Sequence, residues 1–222
     1  YLLTKIKHPF IDALSENFAI ELHPKGVVLR KQKIDDINTG YYSGVQVELN
    51  RHLEGVTKKV ENIARNKHHL EKLKRAAKMH DKGKAEPRFQ IMLHGNSMKA
   101  ASGPVLAKSG MRKLSEILAA RDASELPRGY RHELGSVALS EESDPFVRYI
   151  VGSHHGFGRP WFPMCDDLEA LGANIIKLGS GWADTYATLQ AQLGPWALAE
   201  FELLMRASDI RQSISEQEAF FA

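Results

Sequence analysis

Residues 80–90 read His80-Asp81-Lys82-Gly83-Lys84-Ala85-Glu86-Pro87-Arg88-Phe89-Gln90, and what precedes this stretch decides the fold. Leu70, Leu73 and Ala77 recur at helical spacing ahead of it, opposite a lysine-rich face, so a helix is expected over Lys67–Asp81 with Gly83 ending it. The His-Asp pair therefore falls at a helix end. A His-Asp dipeptide alone is often no more than a hydrogen-bonded core feature. Here Lys82, Lys84 and Arg88 set cations within about one turn of it, as an anionic substrate would require. Imidazole nitrogen suits first-row transition metals, and a carboxylate can bridge two ions and lower their mutual repulsion.

Outward from this stretch the chain stays helical. Leu53, Val56, Val60 and Ile63 mark an apolar face following Asn50, an acceptable N-cap. Further helices are expected at Phe89–Leu93, Met111–Ala120, Tyr130–Ser140, Pro145–Ser153 and Ala183–Leu193, the last closed by Gly194-Pro195. A final helix runs from Trp196 to about Ser213. Residues 46–222 thus read as a mainly α helical bundle. Residues 1–45 read as an N-terminal appendage or linker, in which Phe18–Leu22 and Val27–Lys31 flank His23-Pro24-Lys25-Gly26 as a β-hairpin. Val45–Leu49 is either one more short strand or the approach to the first helix.

Ten histidines are many for 222 residues, and their placement is informative. His52, His80, His132 and the pair His154-His155 lie on or at the ends of expected helices, as do Asp81 and Asp209. A helical bundle can converge such side chains on one interior point. Two ions held there can activate water on one side of a phosphodiester and stabilise the departing oxygen on the other. The single cysteine, Cys165, excludes an internal disulfide and cysteine-ligated structural zinc, and a reducing cytoplasm is the default expectation. No apolar run approaches the roughly 18 residues of a membrane span. Residues 1–113 hold 22 Lys and Arg against 11 Asp and Glu, whereas residues 114–222 hold 8 against 16. The basic half is either a phosphate-facing surface or a solvated helix face.

The stretch HDKGKAEPRFQ resembles the signature of the HD phosphohydrolase superfamily, in the form carried by CRISPR-associated HD nucleases of type I systems. HLEGV at His52, HELGSVAL at His132, SHHGFGRPWFP at His154-His155 and LGPWALAEFELLMRASDIRQS around Asp209 resemble the other family motifs, in order, over about residues 50–215. The wording is most similar to the variant whose HD domain follows the helicase. A chain opening at Tyr1 fits a domain excised from such a protein. The resemblance implies one ion on His52, His80, Asp81 and Asp209, and a second on Asp81, His132, His154 and His155. Asp81 would bridge them, with Lys84 assisting at the phosphate. It further implies divalent transition metals (Mn, Fe, Co or Ni, with Mg also compatible), single-stranded DNA as substrate, and a CRISPR helicase domain and guide-RNA surveillance complex as partners. The alternatives are an HD phosphohydrolase acting on nucleotides or cyclic nucleotides, and a catalytically inert docking module.

Residues 156–163 (GFGRPWFP) exclude regular structure. Arg159 and Trp161, with Arg88, are the expected substrate contacts, since aromatics stack bases and arginines hold phosphates; packing of the loop against the helices is the other reading of Trp161. The basic residues between Lys58 and Lys78 offer a DNA path or a docking face. His94 is expected to cap or fill the core, and His68-His69 to lie on a solvated face. Asp166-Asp167, Glu141-Glu142 and Asp184 are expected at the surface or in helix caps, with His8 and His23 incidental.

Overall fold

The computed structural model describes residues 18–23, 26–31, 41–65, 68–127, 129–161 and 181–221. Cys165, Asp166-Asp167, Lys67 and His8 lie outside them. Among the described residues the fold is mainly α. Its nine helices are α1 (Leu49–Ile63), α2 (Leu70–Met79), α3 (Pro87–His94), α4 (Ser97–Ser102), α5 (Leu114–Ala123), α6 (His132–Leu139), α7 (Pro145–Ser153), α8 (Trp182–Leu193) and α9 (Pro195–Phe221). A 3-10 turn, Lys82–Ala85, separates α2 from α3. Strands β1 (Phe18–His23) and β2 (Gly26–Lys31) pair antiparallel with Phe18 opposite Lys31, as a hairpin requires; Pro24 and Lys25 between them are outside the described residues. Two short strands, β3 (Val47–Glu48) and β4 (Leu106–Lys108), form a second antiparallel pair against the body of the bundle.

The core explains the arrangement. Val56 and Val60 of α1, Leu73 and Ala77 of α2, Ile150 of α7 and Met205 of α9 are fully buried in one cluster. Each large aliphatic buried there contributes about 1.5–3 kcal/mol, so four helices are drawn onto a common axis. A second cluster, built on Tyr41, Phe89, Met92 and Leu106, packs α3 beneath β4.

Several helix ends differ from expectation: α5 runs Leu114–Ala123 where Met111–Ala120 is expected, α2 starts at Leu70 and not Lys67, and two further differences have a clear physical reason. Asn50 is not the N-cap of α1; Glu48 occupies that position without a side-chain cap. The Leu49 N–H instead donates to the Val105 carbonyl at 2.8 Å, so strand approach replaces capping. Gly83 does not close α2, which ends at Met79 with His80 as its cap. Gly83 is required elsewhere: a Cβ there would lie 2.0 Å from the His132 oxygen and 2.6 Å from the Ser136 nitrogen. The 3-10 turn thereby lies directly on α6, locked by Gly83 N–H to Ser136 Oγ at 2.7 Å and Tyr130 Oη–H to Gly83 O at 2.8 Å. Finally, α9 continues eight residues beyond Ser213 to Phe221.

Helix α7 keeps its expected bounds. Asp144 caps it by accepting from the Phe146 and Val147 N–H groups, Pro145 takes the first position, and Lys72 lies 2.8 Å from the Asp144 carboxylate. Burial opposes the charge on Asp144, but Lys72 and the two backbone N–H groups outweigh it and hold its carboxyl below the usual range. Such a group stabilises the fold fully above the unfolded carboxylate pKa of about 3.9, and that contribution is lost as pH falls through the lower native value. Asp144→Ala is expected to cost about 1 kcal/mol at pH 7. In urea titrations the gap to wild type should persist to about pH 4 and narrow only below it.

Candidate metal centre

Each side chain of the centre comes from a helix or its end. His52 lies in the first turns of α1, His80 and Asp81 directly follow α2, His132 opens α6, His154 and His155 directly follow α7, and Asp209 lies in α9. His52, His80, Asp81, His132 and His154 are at most 1% exposed. Asp81 stands in the middle, and its two oxygens face different neighbours. Oδ1 lies 3.0 Å from His132 Nε2 and 3.8 Å from His154 Nε2. Oδ2 lies 3.5 Å from His52 Nε2 and 3.6 Å from His80 Nε2. Two groups of potential ligands result: Asp81 with His132, His154 and His155, and Asp81 with His52 and His80, the ligand atoms of each group within 4.8 Å of one another. Asp209 joins the second group through Oδ1, 3.1 Å from His52 Nε2.

The far nitrogens of the rings are held, which aims the near ones. His80 and His154 each come one residue after a helix, where last-turn carbonyls have no helical donor. Their Nδ1 atoms meet Ala77 O at 2.8 Å and Val151 O at 2.6 Å. His52 and His132 have no free carbonyl nearby and use side chains instead. His52 Nδ1 lies 2.9 Å from Glu216 Oε1, and His132 Nδ1 lies 2.8 Å from the Tyr41 hydroxyl. In each case Nε2 is left to point inward.

The Nε2 atoms of His80, His132 and His154 and Oδ1 of Asp81 are buried without a hydrogen-bond partner among the described residues. Each such group costs about 1–3 kcal/mol when left unsatisfied, and all four converge on the same interior. Divalent ions would satisfy them together, and the donor set, imidazole and carboxylate without thiolate, suits transition metals. The family model described as Cas3, HD domain, matches residues 45–220. The chain belongs to this family. No match was found among curated proteins or among solved structures. Membership in the Cas3 HD family makes the chain a metal-dependent hydrolase of the HD nuclease type, in a CRISPR-associated setting. Among the described residues no helix is long and apolar enough to cross a membrane.

The electrostatics of the centre follow from the same geometry. Burial opposes the charge on Asp81, yet Lys84 and His80 hold its carboxyl well below the usual range. Burial and the neighbouring His132 push His155 down to about 4, and burial with its three histidine neighbours holds His154 well below its ordinary value. Both therefore stay neutral at physiological pH, the form that can donate to a metal. His52 is the exception. Burial lowers its affinity for a proton, but hydrogen bonds to Asp209 and Glu216 more than reverse this. A metal held beside His52 would therefore have to compete with a proton for its ring nitrogen.

The remaining expected residues are dispersed around this centre. Lys84 is buried with its ammonium 2.5 Å from Asp81 Oδ2. Arg88 pairs with Glu86 at 3.0 Å on the first turn of α3. Arg159 reaches Glu202 at 2.9 Å, and Glu202 in turn accepts from the Tyr149 hydroxyl. Trp161 is exposed. The loop carrying these two is fixed by the Trp182 indole N–H donating to Gly158 O at 3.0 Å. His94 lies apart, with Nε2 3.0 Å from the Pro104 carbonyl. His69 differs from expectation: its ring packs 4.8 Å from Phe146 and 5.1 Å from Phe201, so α2 begins on an aromatic contact. On the basic face, Lys72 and Arg75 pair with Asp144, Arg75 also with Glu142, and Lys74 with Glu61, which removes part of the positive field expected there.

Sequence reasoning passed over Tyr41, Lys108, Glu133 and Glu216. It also missed Arg131, whose guanidinium lies 3.6 Å from the centroid of the Phe157 ring, joining the residue before His132 to the second residue after His155. Glu133 is fully buried 3.3 Å behind His132 Nδ1. The HELGS stretch contains that signal, since a glutamate beside a ligand histidine can serve as its outer partner.

Proposed function

We propose that this chain is a nuclease that hydrolyses single-stranded DNA with two divalent transition ions, in the cytoplasm, during CRISPR interference. The observation that supports this best is the division of Asp81, one oxygen toward each group of histidines. His52, His80, Asp81 and Asp209 would hold one ion, and Asp81, His132, His154 and His155 the other. When bound, such ions lower the pKa of water and neutralise charge developing on a phosphate and its leaving oxygen. Asp81 fixes the spacing of the two pockets. Lys84 adds a buried ammonium beside Asp81, where it can stabilise negative charge on a non-bridging phosphate oxygen. His52, His80, His132 and His154, oriented through Nδ1, would keep the pockets shaped before any ion arrives. No protein nucleophile is required. Arg131 stacked on Phe157, with Arg159, Arg88 and exposed Trp161, supplies cations and an aromatic face for a strand. A helicase domain, in the same chain ahead of this one or as a separate partner, would deliver the strand from a target marked by a guide-RNA surveillance complex.

The test is to load the purified chain with Mn²⁺, Co²⁺ or Ni²⁺ and offer a circular single-stranded DNA beside nucleoside triphosphates and cyclic nucleotides. The circle is expected to be cut and the nucleotides spared, as read on a denaturing gel and by chromatography. Nucleotide hydrolysis with an intact circle would replace the nuclease reading by that of a nucleotide phosphohydrolase.

A further inference from the structure

His52 is the ligand histidine that α1 cannot hold by itself. His80 and His154 borrow free carbonyls from the helices they follow, but a ring within the first turns of a helix has none to borrow. The structure meets this need from the opposite side of the bundle. Asp209, Gln212 and Glu216 recur at three- and four-residue spacing along one face of α9, and that face is applied to α1. Asp209 meets His52 Nε2 and Glu216 Oε1 meets Nδ1, so the ring is gripped at both nitrogens.

Glu216 is itself tightly placed. Its side chain is 6% exposed, Oε2 accepts from the Lys108 ammonium at 2.9 Å, and Oε1 accepts from the Gln212 amide at 2.9 Å. Lys108 comes from β4 and its side chain is 5% exposed. Gly55, one turn after His52 on α1, makes the room: a Cβ there would fall 2.2 Å from Gln212 Cδ. Gly55, Lys108 and Gln212, from α1, β4 and α9, thus together seat the one carboxylate that meets His52 Nδ1.

We infer that Glu216, clamped by Lys108 and Gln212, is the positioning residue that sets the ion affinity of the His52 pocket and leaves the His132–His154–His155 pocket unaffected. A carboxylate behind a ligand imidazole fixes its orientation and raises its basicity, and losing such a partner typically weakens ion binding about 10–100-fold. This rests on the ion-centre reading above. Lys108 keeps a negative group tolerable in the interior, because a buried carboxylate needs a paired charge.

The experiment titrates Co²⁺ into the ion-free chain, following heat and the visible absorption of cobalt, with melting of the ion-free protein measured in parallel. In Glu216→Ala one binding event is expected to weaken about 10–100-fold with an altered cobalt spectrum, while the other keeps its wild-type affinity. Gly55→Ala separates this from a role in folding. A helical alanine favours the fold over glycine, while its methyl group expels the Gln212 clamp. That variant should melt no lower than wild type in the ion-free state, yet bind one Co²⁺ several-fold more weakly. Both variants taking up Co²⁺ with wild-type affinity and spectrum would overturn the inference. A wild-type chain that takes up no Co²⁺ would overturn the ion-centre reading beneath it.

Discussion

Asp81→Ala is expected to abolish ion uptake in both pockets and to slow DNA cleavage by at least about a thousand-fold, roughly 4 kcal/mol in the barrier. The size follows from geometry. Among the described residues Asp81 is the one that belongs to both groups, one oxygen toward each, so its loss removes a negative ligand from each and the spacing between them. It also strands the Lys84 ammonium, 4% exposed, without its partner. Breaking one member of a buried pair commonly costs about 3–5 kcal/mol, so the alanine variant must be shown to be folded by circular dichroism. Asp81→Asn is the companion, since it keeps shape and one acceptor oxygen while removing the charge. Metal content after dialysis and single-turnover cleavage of labelled DNA are the measurements. Cleavage at the wild-type rate in either variant would sink the proposed centre.

The second large effect concerns a residue without a side chain. Gly83→Ala would drive a Cβ to 2.0 Å from the His132 carbonyl oxygen and 2.6 Å from the Ser136 nitrogen. Both are backbone atoms of α6, and helical backbone cannot turn aside as a flexible side chain can. Overpacking of this kind costs about 1–3 kcal/mol and occasionally more, and we expect the upper part of that range in urea denaturation. Prising the 3-10 turn from α6 also draws Asp81 away from His132, so ion uptake should fall with stability. Gly135→Ala is the internal comparison. Its Cβ would meet the Tyr130 hydroxyl at 2.5 Å, the end of a side chain that can shift, and backbone only at 3.2 Å (Gly83 Cα), so it should cost less. If Gly83→Ala proves as stable as wild type, the close approach of turn and helix is not what demands glycine there.

Much of the fold was legible because helices advertise themselves by spacing. The apolar positions of α1, α2 and α7 recur every three or four residues, and Pro145 behind Asp144 announced the start of α7. The ends were less legible where tertiary contacts replaced local chemistry. Leu49 is capped by the Val105 carbonyl, an arrangement that no residue near Asn50 reveals. Strand β4 is three residues long and carries no alternation to read. Gly83 looked like punctuation, whereas its role is set by α6, some fifty residues later. The potential ligands themselves could be picked out, since few residue types bind transition ions and a resemblance supplied their order. Their partners could not. Lys108 and Glu216 are ordinary charged residues 108 positions apart, and they become informative only when folding seats both behind His52.

The meeting of α1 and α9 has a consequence for the life of the chain. His52 and Asp209 are 157 residues apart, whereas Asp81, His132, His154 and His155 all fall between residues 81 and 155. A polypeptide emerges from the ribosome amino end first. The residues of the inner group are therefore all made before α9 begins, whereas the outer group has to wait for α9. Proteolysis between α8 and α9 would return the molecule to that unfinished state. Hydrolytic competence thus waits on α9, and a cut between α8 and α9 takes it away.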